Sequence, residues 1–439
     1  MKIKYNFLVL FSLLIAVSAC KPEFDSFEPS AGNANFSKYI ALGNSLTSGY
    51  KDGALFISGQ QYSYPNIIAQ QLKLAGGGEF KQPMMFDEIG FGGRLILGIN
   101  TAKDCEGNPI AGASPSLAPV PMIGVPNLEN FINKAEYHTV NNLGVPGAKS
   151  FHLLIPGYGA LNPYFFRFAS SPTTSIISQA VSLNPTFFTL WIGNNDILTY
   201  ALTGGEADSI TSLNTFSFAY GALLNSLTSQ GAKGVVATIP EIDKIAYFNT
   251  VPYNGLVLER QGQADTLSFV YMKLGIQFHV GANGFIIEDE SVPQAKMRQI
   301  KSNELILLSI PQDSLRCAGW GSVKPIPAQY VLDETEINAI KNATIEYNQV
   351  ISTMAQSFDL ALMDANKVFA EASKTGLVYD GVKLQTNYIS GGLNSIDGIH
   401  LTPRGNAVVA NKFIEAINLK YGSMVPLVDV TEFPGIVFP

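Results

Sequence analysis

The chain alternates short apolar segments with amphipathic helical patterns, and this alternation limits the possible folds more than any other feature. The apolar segments are bounded by Gly, Pro, Asn or Asp, which is typical of strands. Five strands are predicted at 38–43, 138–143, 187–192, 234–239 and 359–364. The clearest helices are predicted at 334–357 and from 403 to about 419, where apolar residues recur at three- and four-residue steps. Such alternation favours an α/β fold with helices on both faces of a parallel sheet.

Polar motifs follow three of the predicted strands. The first is Gly-Asn-Ser-Leu-Thr at 43–47, the second Asn-Leu-Gly-Val-Pro-Gly at 142–147 and the third Gly-Asn-Asn-Asp at 193–196. A fourth motif, Asp-Gly-Ile-His at 397–400, lies just before a helix start with Thr402 as N-cap and Pro403 in its first turn. Because functional residues of parallel sheets collect at the carboxyl ends of the strands, we expect Ser45, Gly144 and Asn195 to lie near one another.

These residue types suit nucleophilic catalysis. A serine hydroxyl becomes a good nucleophile only when a base removes its proton, and His400 is the candidate base for Ser45. The imidazole needs a carboxylate to fix its tautomer and orientation, and Asp397 lies three residues upstream. Attack on an ester carbonyl places negative charge on oxygen, which N–H donors stabilise. The four motifs therefore predict a nucleophile, a base, an orienting acid and candidate donors.

With these four motifs in this order, the chain resembles the SGNH hydrolases, also called the GDSL lipase/esterase family. The resemblance implies a three-layer α/β/α sandwich with a central five-stranded parallel sheet. It also implies cleavage of carboxylic esters through an acyl-serine intermediate, without a cofactor or a metal. Its oxyanion donors would be the backbone amides of Ser45 and Gly144 and the side-chain amide of Asn195. The resemblance covers the core strands and motifs, about half of the chain.

One position departs from the family pattern. The family usually has Asp where this chain has Asn44. Asparagine keeps the size and one acceptor oxygen but loses the charge. We therefore expect the loop geometry to be kept and the electrostatic field at Ser45 to change.

The amino terminus is typical of an exported protein. Two lysines precede an apolar run at 7–17 that is too short to span a bilayer, and the sequence Val-Ser-Ala-Cys at 17–20 resembles a bacterial lipobox. The interpretation is a signal peptide at 1–19, acylation of Cys20 and a tether at 20–35 that holds the protein on a membrane surface. The alternatives are an ordinary signal peptide and a buried amino-terminal helix.

The two remaining cysteines, Cys105 and Cys317, either form a disulfide or stay free, and the sequence does not decide between these. His138, His152 and His279 are scattered singly, so no histidine spacing indicates a metal site. His152 lies near the Gly144 loop, where it either contacts substrate or serves packing.

The hydrolase domain is expected at 36–425, followed by a tail at 426–439. Two long insertions, 76–137 and 246–330, follow the first and fourth strands. Loops of this length usually have a function or structure of their own. They are expected to form either the walls or lid of the substrate cleft, or a packing or dimer surface. Their apolar residues favour an acyl ligand, whereas Tyr62, Tyr64 and Tyr253 would suit a sugar ring.

Three functions are therefore open. The first is a lipid-anchored serine esterase or lipase, the second is a carbohydrate O-acetylesterase acting on acetylated polysaccharide, and the third is a glycan- or lipid-binding lipoprotein without catalysis. The intact triad and Asn195 argue against the third. A net charge of −7 with 14% charged residues provides no basic surface for nucleic acid.

Overall fold

The structure, a computed structural model, describes residues 28–439. The predicted signal peptide, Cys20 and the first half of the predicted tether lie outside the described residues. Five parallel strands form the central sheet: β1 (Tyr39–Gly43), β2 (Asn142–Gly144), β3 (Phe187–Trp191), β4 (Lys233–Ala237) and β5 (Ala361–Met363). They lie in the order β5-β4-β3-β1-β2 and all pair in parallel. The predicted five-stranded parallel sheet is confirmed.

The strand positions match the prediction closely except at β2, which starts four residues later than the predicted 138. This strand lies at the edge of the sheet, where it pairs with β1 alone. Before it, His138 and Val140 take part in turns, with backbone bonds to Ala135 and Tyr137. Because β2 has only one neighbouring strand, residues 138–141 do not continue it, and the strand begins at Asn142.

Helices cover both faces of the sheet, as the alternation predicted. The principal ones are α1 (Ser45–Ser48), α2 (Tyr64–Leu74), α3 (Ile176–Ser182), α4 (Asn195–Ala201), α5 (Leu213–Thr228), α6 (Glu334–Ser357), α7 (Ala365–Lys374) and α8 (Pro403–Tyr421). One hydrophobic core joins the sheet to α3, α5 and α6, and a second core on the opposite face joins it to α2, α7 and α8. The result is a three-layer α/β/α sandwich.

The two longest helices begin as their sequences predict. At the start of α6, Asp333 accepts a hydrogen bond from Glu336 N and Glu336 accepts one from Asp333 N, each at 2.8 Å, so the capping box is formed. At the start of α8, the hydroxyl of Thr402 accepts a hydrogen bond from Gly405 N at 2.9 Å. Pro403 occupies the first turn, where its missing N–H is not needed. The second cap holds the motif at 397–400 against the helix start.

Short elements fill the remaining described chain. The other α-helices are Ile57–Gln61, Pro163–Phe166, Ala246–Asn249, Gln261–Val270 and Gln312–Arg316. Two-stranded antiparallel ribbons pair Leu95–Asn100 with Ser116–Pro121, Leu256–Leu258 with Gly281–Asn283, Ile286–Glu288 with Met297–Gln299, Leu305–Ile306 with Val331–Leu332, and Leu377–Tyr379 with Val382–Leu384. The insertions therefore have secondary structure of their own, and the second one has two small hydrophobic clusters.

A disulfide joins the two insertions to each other. Cys105 of the first insertion pairs with Cys317 of the second, with a Cα–Cα distance of 5.4 Å and a sequence separation of 212 residues. Both cysteines are exposed. The question that the sequence left open is thus answered in favour of pairing.

Both ends of the described chain pack on the domain. Ser30 pairs with Met424 in an antiparallel bridge, and Asn33 N donates to Tyr421 O at 2.8 Å. In the tail, Arg404 binds the carbonyl of Phe433 through Nε at 3.0 Å. Among the described residues, none of the helices combines the length and the apolar character that crossing a bilayer requires.

Loss of the disulfide should lower the free energy of unfolding by about 2–4 kcal/mol, because the bond closes a long loop in the unfolded chain. Denaturation of the wild type with and without dithiothreitol measures this effect. The Cys105→Ser/Cys317→Ser double variant is the control, since its unfolding should be insensitive to the reductant. Superimposable curves for the oxidised and reduced wild type would contradict the expectation.

Candidate active site

Ser45 lies where β1 ends and α1 begins. Asn44 precedes it as the N-cap of α1, with its side-chain oxygen accepting a hydrogen bond from Leu46 N at 3.1 Å. The side-chain amide of Asn44 donates to Asn194 Oδ1 at 3.2 Å, which ties the first motif to the third. The position that departs from the family pattern therefore keeps its capping role.

Asp397 and His400 form a close pair. The Nδ1 of His400 lies 2.9 Å from Oδ2 of Asp397. Oδ1 of the same carboxylate accepts hydrogen bonds at 2.9 Å from Ile399 N, His400 N and the hydroxyl of Ser395. Burial alone would raise the pKa of Asp397, but the charge and hydrogen bonds of His400 and the backbone amides hold that pKa well below its usual range. Asp397 therefore stays ionised and can fix the His400 ring.

The turn after α1 supports this pair, a feature that the sequence reasoning missed. Gly53 N donates to Oδ2 of Asp397 at 3.0 Å. Asp52 accepts from Ile396 N at 3.2 Å, and its own N–H donates to the hydroxyl of Ser395 at 3.1 Å. An Asp-Gly pair is a common turn signal, so a turn could have been predicted here, but not its partner more than 340 residues away.

An aromatic ring also lies against the histidine. The rings of Tyr50 and His400 are 4.8 Å apart between centroids, and Tyr50 in turn contacts Tyr164 edge-on at 6.2 Å. Burial raises the pKa of Tyr50 well above its ordinary value, so its hydroxyl stays protonated. Tyr50 thus serves as a neutral packing surface for the His400 ring.

Ser45 and His400 line one cleft. Asn194 and Asn195 line it as well, so the structure brings together three of the four motifs. Within the described residues, the Ser45 hydroxyl makes no hydrogen bond to His400. Catalytic hydrogen bonds are often long without substrate and shorten in the substrate complex.

The N–H of Ser45 points to no protein acceptor in the described part of the chain. It belongs to the first residue of α1, where helix N–H groups have no partner within the helix. The side-chain amide of the buried Asn195 donates to Ala148 O at 2.9 Å, and this amide carries a second N–H. Both groups can therefore still donate to a substrate oxygen.

The expected donor Gly144 is already used. Its N–H donates to the side-chain oxygen of Asn142 at 3.0 Å, so it is not available to an oxyanion. A Cβ at position 144 would lie 2.4 Å from Ser48 N. Gly144 is therefore needed for close packing of β2 against α1, and the expectation of a donor role is corrected.

Gly147 is the residue of this motif that remains available. It is exposed, its φ of +77° lies in the left-handed region, and its N–H has no acceptor among residues 28–439. Its neighbours hold it near the site, because Val145 N donates to Gly43 O at 3.0 Å and Ala148 O accepts from Asn195. The second glycine of the motif was visible in the sequence but was not given this role.

His152 has a packing role. Its Nδ1 lies 3.1 Å from Lys149 N and 3.0 Å from the hydroxyl of Tyr158. Burial lowers its pKa, and its ring stacks on Tyr158 at 4.8 Å. The residue does not line the cleft. Across residues 28–439, no group of three or more His, Cys, Asp or Glu side chains is arranged to hold a metal ion.

The insertions support the site without lining the cleft. In the second insertion, Tyr247 N donates to Gly398 O at 2.9 Å, between the two members of the Asp-His pair. In the first, Phe91 packs on Tyr164 at 4.6 Å. No cleft-lining residue in the described chain comes from 76–137 or 246–330. Part of the apolar wall comes instead from the segment 239–245, just before the second insertion.

Comparison with solved structures finds matches at low sequence identity. An acetyl-xylooligosaccharide esterase from Geobacillus stearothermophilus is 11% identical, with 88% of this chain and 96% of that chain covered and a TM-score of 0.36. A lipase/acylhydrolase from Enterococcus faecalis is 12% identical, covering 89% and 100%, with a TM-score of 0.33. An extracellular lipase from Streptomyces rimosus is 13% identical, covering 87% and 98%, with a TM-score of 0.33.

A search of curated proteins finds no match. The profile of the GDSL-like lipase/acylhydrolase family matches residues 39–413, a range that includes all four motifs and both insertions. The chain belongs to the GDSL-like lipase/acylhydrolase family.

Proposed function

We propose that the protein is a carboxylic ester hydrolase in which Ser45, His400 and Asp397 form the catalytic triad. The observation that carries the proposal is the Asp397–His400 pair at 2.9 Å, whose histidine lines the same cleft as Ser45. His400 takes the proton of Ser45 as its hydroxyl attacks the carbonyl carbon, and then gives that proton to the leaving alcohol. Water, activated by His400, hydrolyses the acyl-serine in the second half of the reaction.

Three N–H groups are proposed to stabilise the oxyanion: the amide of Ser45, the side-chain amide of Asn195 and the amide of Gly147. The last replaces the initial candidate Gly144, because the N–H of Gly144 is bonded to Asn142 whereas that of Gly147 has no acceptor in the described chain. The carboxylate of Asp397 does not change its protonation state. Its depressed pKa keeps it negative, so it stabilises the imidazolium that forms at each proton transfer.

The other two functions have less support. The tyrosines considered for sugar stacking do not line the cleft. Tyr64 is fully buried and stacks on Phe413, Tyr62 packs near Phe433, and Tyr253 belongs to a hydrophobic cluster of the second insertion. A binding protein without catalysis would not require the hydrogen bonds that surround Asp397.

Replacement of the nucleophile should abolish ester hydrolysis. Ser45→Ala is expected to lower kcat by a factor on the order of 10⁶, the loss typical of a missing triad nucleophile. The measurement is turnover of p-nitrophenyl esters, with circular dichroism to verify folding. The matched control is Ser48→Ala in the same helix, because the Ser48 hydroxyl donates to Ser45 O and is not directed at substrate. A folded Ser45→Ala protein with near-normal turnover would refute the mechanism.

The oxyanion assignment predicts a difference between two adjacent asparagines. Asn195→Ala should lower kcat by about 10²–10³ with little change in KM, because its amide meets the oxyanion mainly in the transition state. Asn194→Ala should be milder, since the Asn194 side chain binds Asn44 instead. Steady-state kinetics of both variants, with melting curves to detect unfolding, measure this difference. A larger kcat loss in Asn194→Ala would show that the motif has been placed one residue out of register.

The amino-terminal motif leads us to propose an exported lipoprotein acylated at Cys20 and held on a membrane surface. Cys20→Ser should move the protein from the membrane fraction to the soluble fraction, because signal processing removes the apolar run at 7–17. Immunoblotting of fractionated cells measures this. A processed Cys20→Ser protein that stays with the membranes would require another means of attachment.

A further inference from the structure

The cleft has a polar end and an apolar end. Five of its six polar side chains come from the catalytic motifs, namely Asn44, Ser45, Asn194, Asn195 and His400, and the sixth is Thr344. The rest of its lining is almost entirely apolar, with Ile239, Pro240, Ile242, Ile245, Phe369 and Ile399 as the main contributors. A bound ester would therefore meet the polar side chains of the catalytic motifs near its carbonyl.

The apolar part leads from the surface into the interior. Ile245 and Ile399 are half-buried, as is His400. Ile242 is 5% exposed, and Ile239 and Phe369 are each 3% exposed. We call the half-buried Ile245, Ile399 and His400 the mouth of this pocket, and the buried apolar side chains next to α6 and α7 its closed end.

The closed end offers no free side-chain hydrogen-bond donor. Thr344 on α6 is the polar side chain among its buried residues, at 1% exposure. Its hydroxyl donates to Ile340 O at 2.8 Å, within the helix. A sugar hydroxyl placed here would lose its hydrogen bonds to water without gaining a donor from Thr344. The pocket excludes a carbohydrate group and favours a hydrocarbon chain.

We propose that this pocket is the acyl subsite and that the natural substrate is an ester with an acyl chain longer than acetyl. The inference rests on the proposed esterase function. An acetyl methyl group ends close to Ser45, whereas a longer chain reaches Ile242 and Phe369 and removes apolar surface from water. The alcohol part lies outside the pocket, on the exposed side of the site near Gly147.

The test is a series of p-nitrophenyl esters from acetate through butyrate, hexanoate and octanoate to dodecanoate. We expect kcat/KM to rise about fourfold for each methylene that enters the pocket, so hexanoate should exceed acetate by about a hundredfold or more. The rise should stop when the chain reaches the closed end at Thr344 and Phe369. Ile245→Trp, which narrows the mouth, should lower the hexanoate-to-acetate ratio at least tenfold.

Ile345→Trp is the matched control. Ile345 follows Thr344 on α6 but is 63% exposed, so the same substitution there should keep the wild-type ratio of hexanoate to acetate. A second measurement needs no variant. Alkylphosphonofluoridates with two-carbon and six-carbon chains should label Ser45 of the wild type at rates with the same preference for the longer chain, as peptide mass spectrometry can show.

The outcomes separate this inference from the proposed function. Hydrolysis that is fastest for acetate and falls steadily with chain length, in a protein whose Ser45 is labelled, would overturn the acyl subsite and leave the esterase mechanism in place. Absence of hydrolysis of every ester, together with an unlabelled Ser45, would overturn both. Equal loss of the ratio in Ile245→Trp and Ile345→Trp would show that the pocket does not set the preference.

Discussion

The active-site end of this fold depends on the burial of one carboxylate, that of Asp397. A buried carboxylate costs several kcal/mol unless its oxygens are paired and hydrogen-bonded. Asp397 meets this requirement with five donors, from Ser395, Ile399, Gly53 and both the backbone and the ring of His400. These donors come from two chain segments far apart in sequence. The position of His400 is thus fixed by the same bonds that make burial of the acid tolerable.

Much of the fold was readable in the sequence, because its elements are determined locally. The helix α6 has both an apolar stripe and a capping box, and α8 has Thr402 and Pro403 at its start, so their first residues agree with prediction. Buried parallel strands such as β3 are apolar throughout and are bounded by turn residues. The edge strand β2 was predicted too long, since its length depends on pairing with β1, which local sequence does not encode.

The site was readable in part for the same reason. Asp397 and His400 are three residues apart, so their pairing follows from local geometry. The choice between Gly144 and Gly147 was only partly local: the bond from Gly144 N to Asn142 spans two residues, but the packing of β2 against α1 joins distant parts of the chain. The support from Asp52 and Gly53 and the disulfide between the insertions are contacts over hundreds of residues. Nothing in the local pattern specifies contacts of that kind.

The pairing of Ser30 with Met424 places the start of the described chain at the end of the domain opposite the active site. Helix α8 begins beside the Asp-His loop and runs for 19 residues, so its end at Tyr421 lies about 28 Å from the catalytic end. Residues 30–33 are bonded at that far end. Attachment through the amino-terminal segment would therefore hold the molecule at the end opposite the active site. The mouth of the cleft would then face away from the membrane. In that orientation, substrate would arrive from the aqueous side.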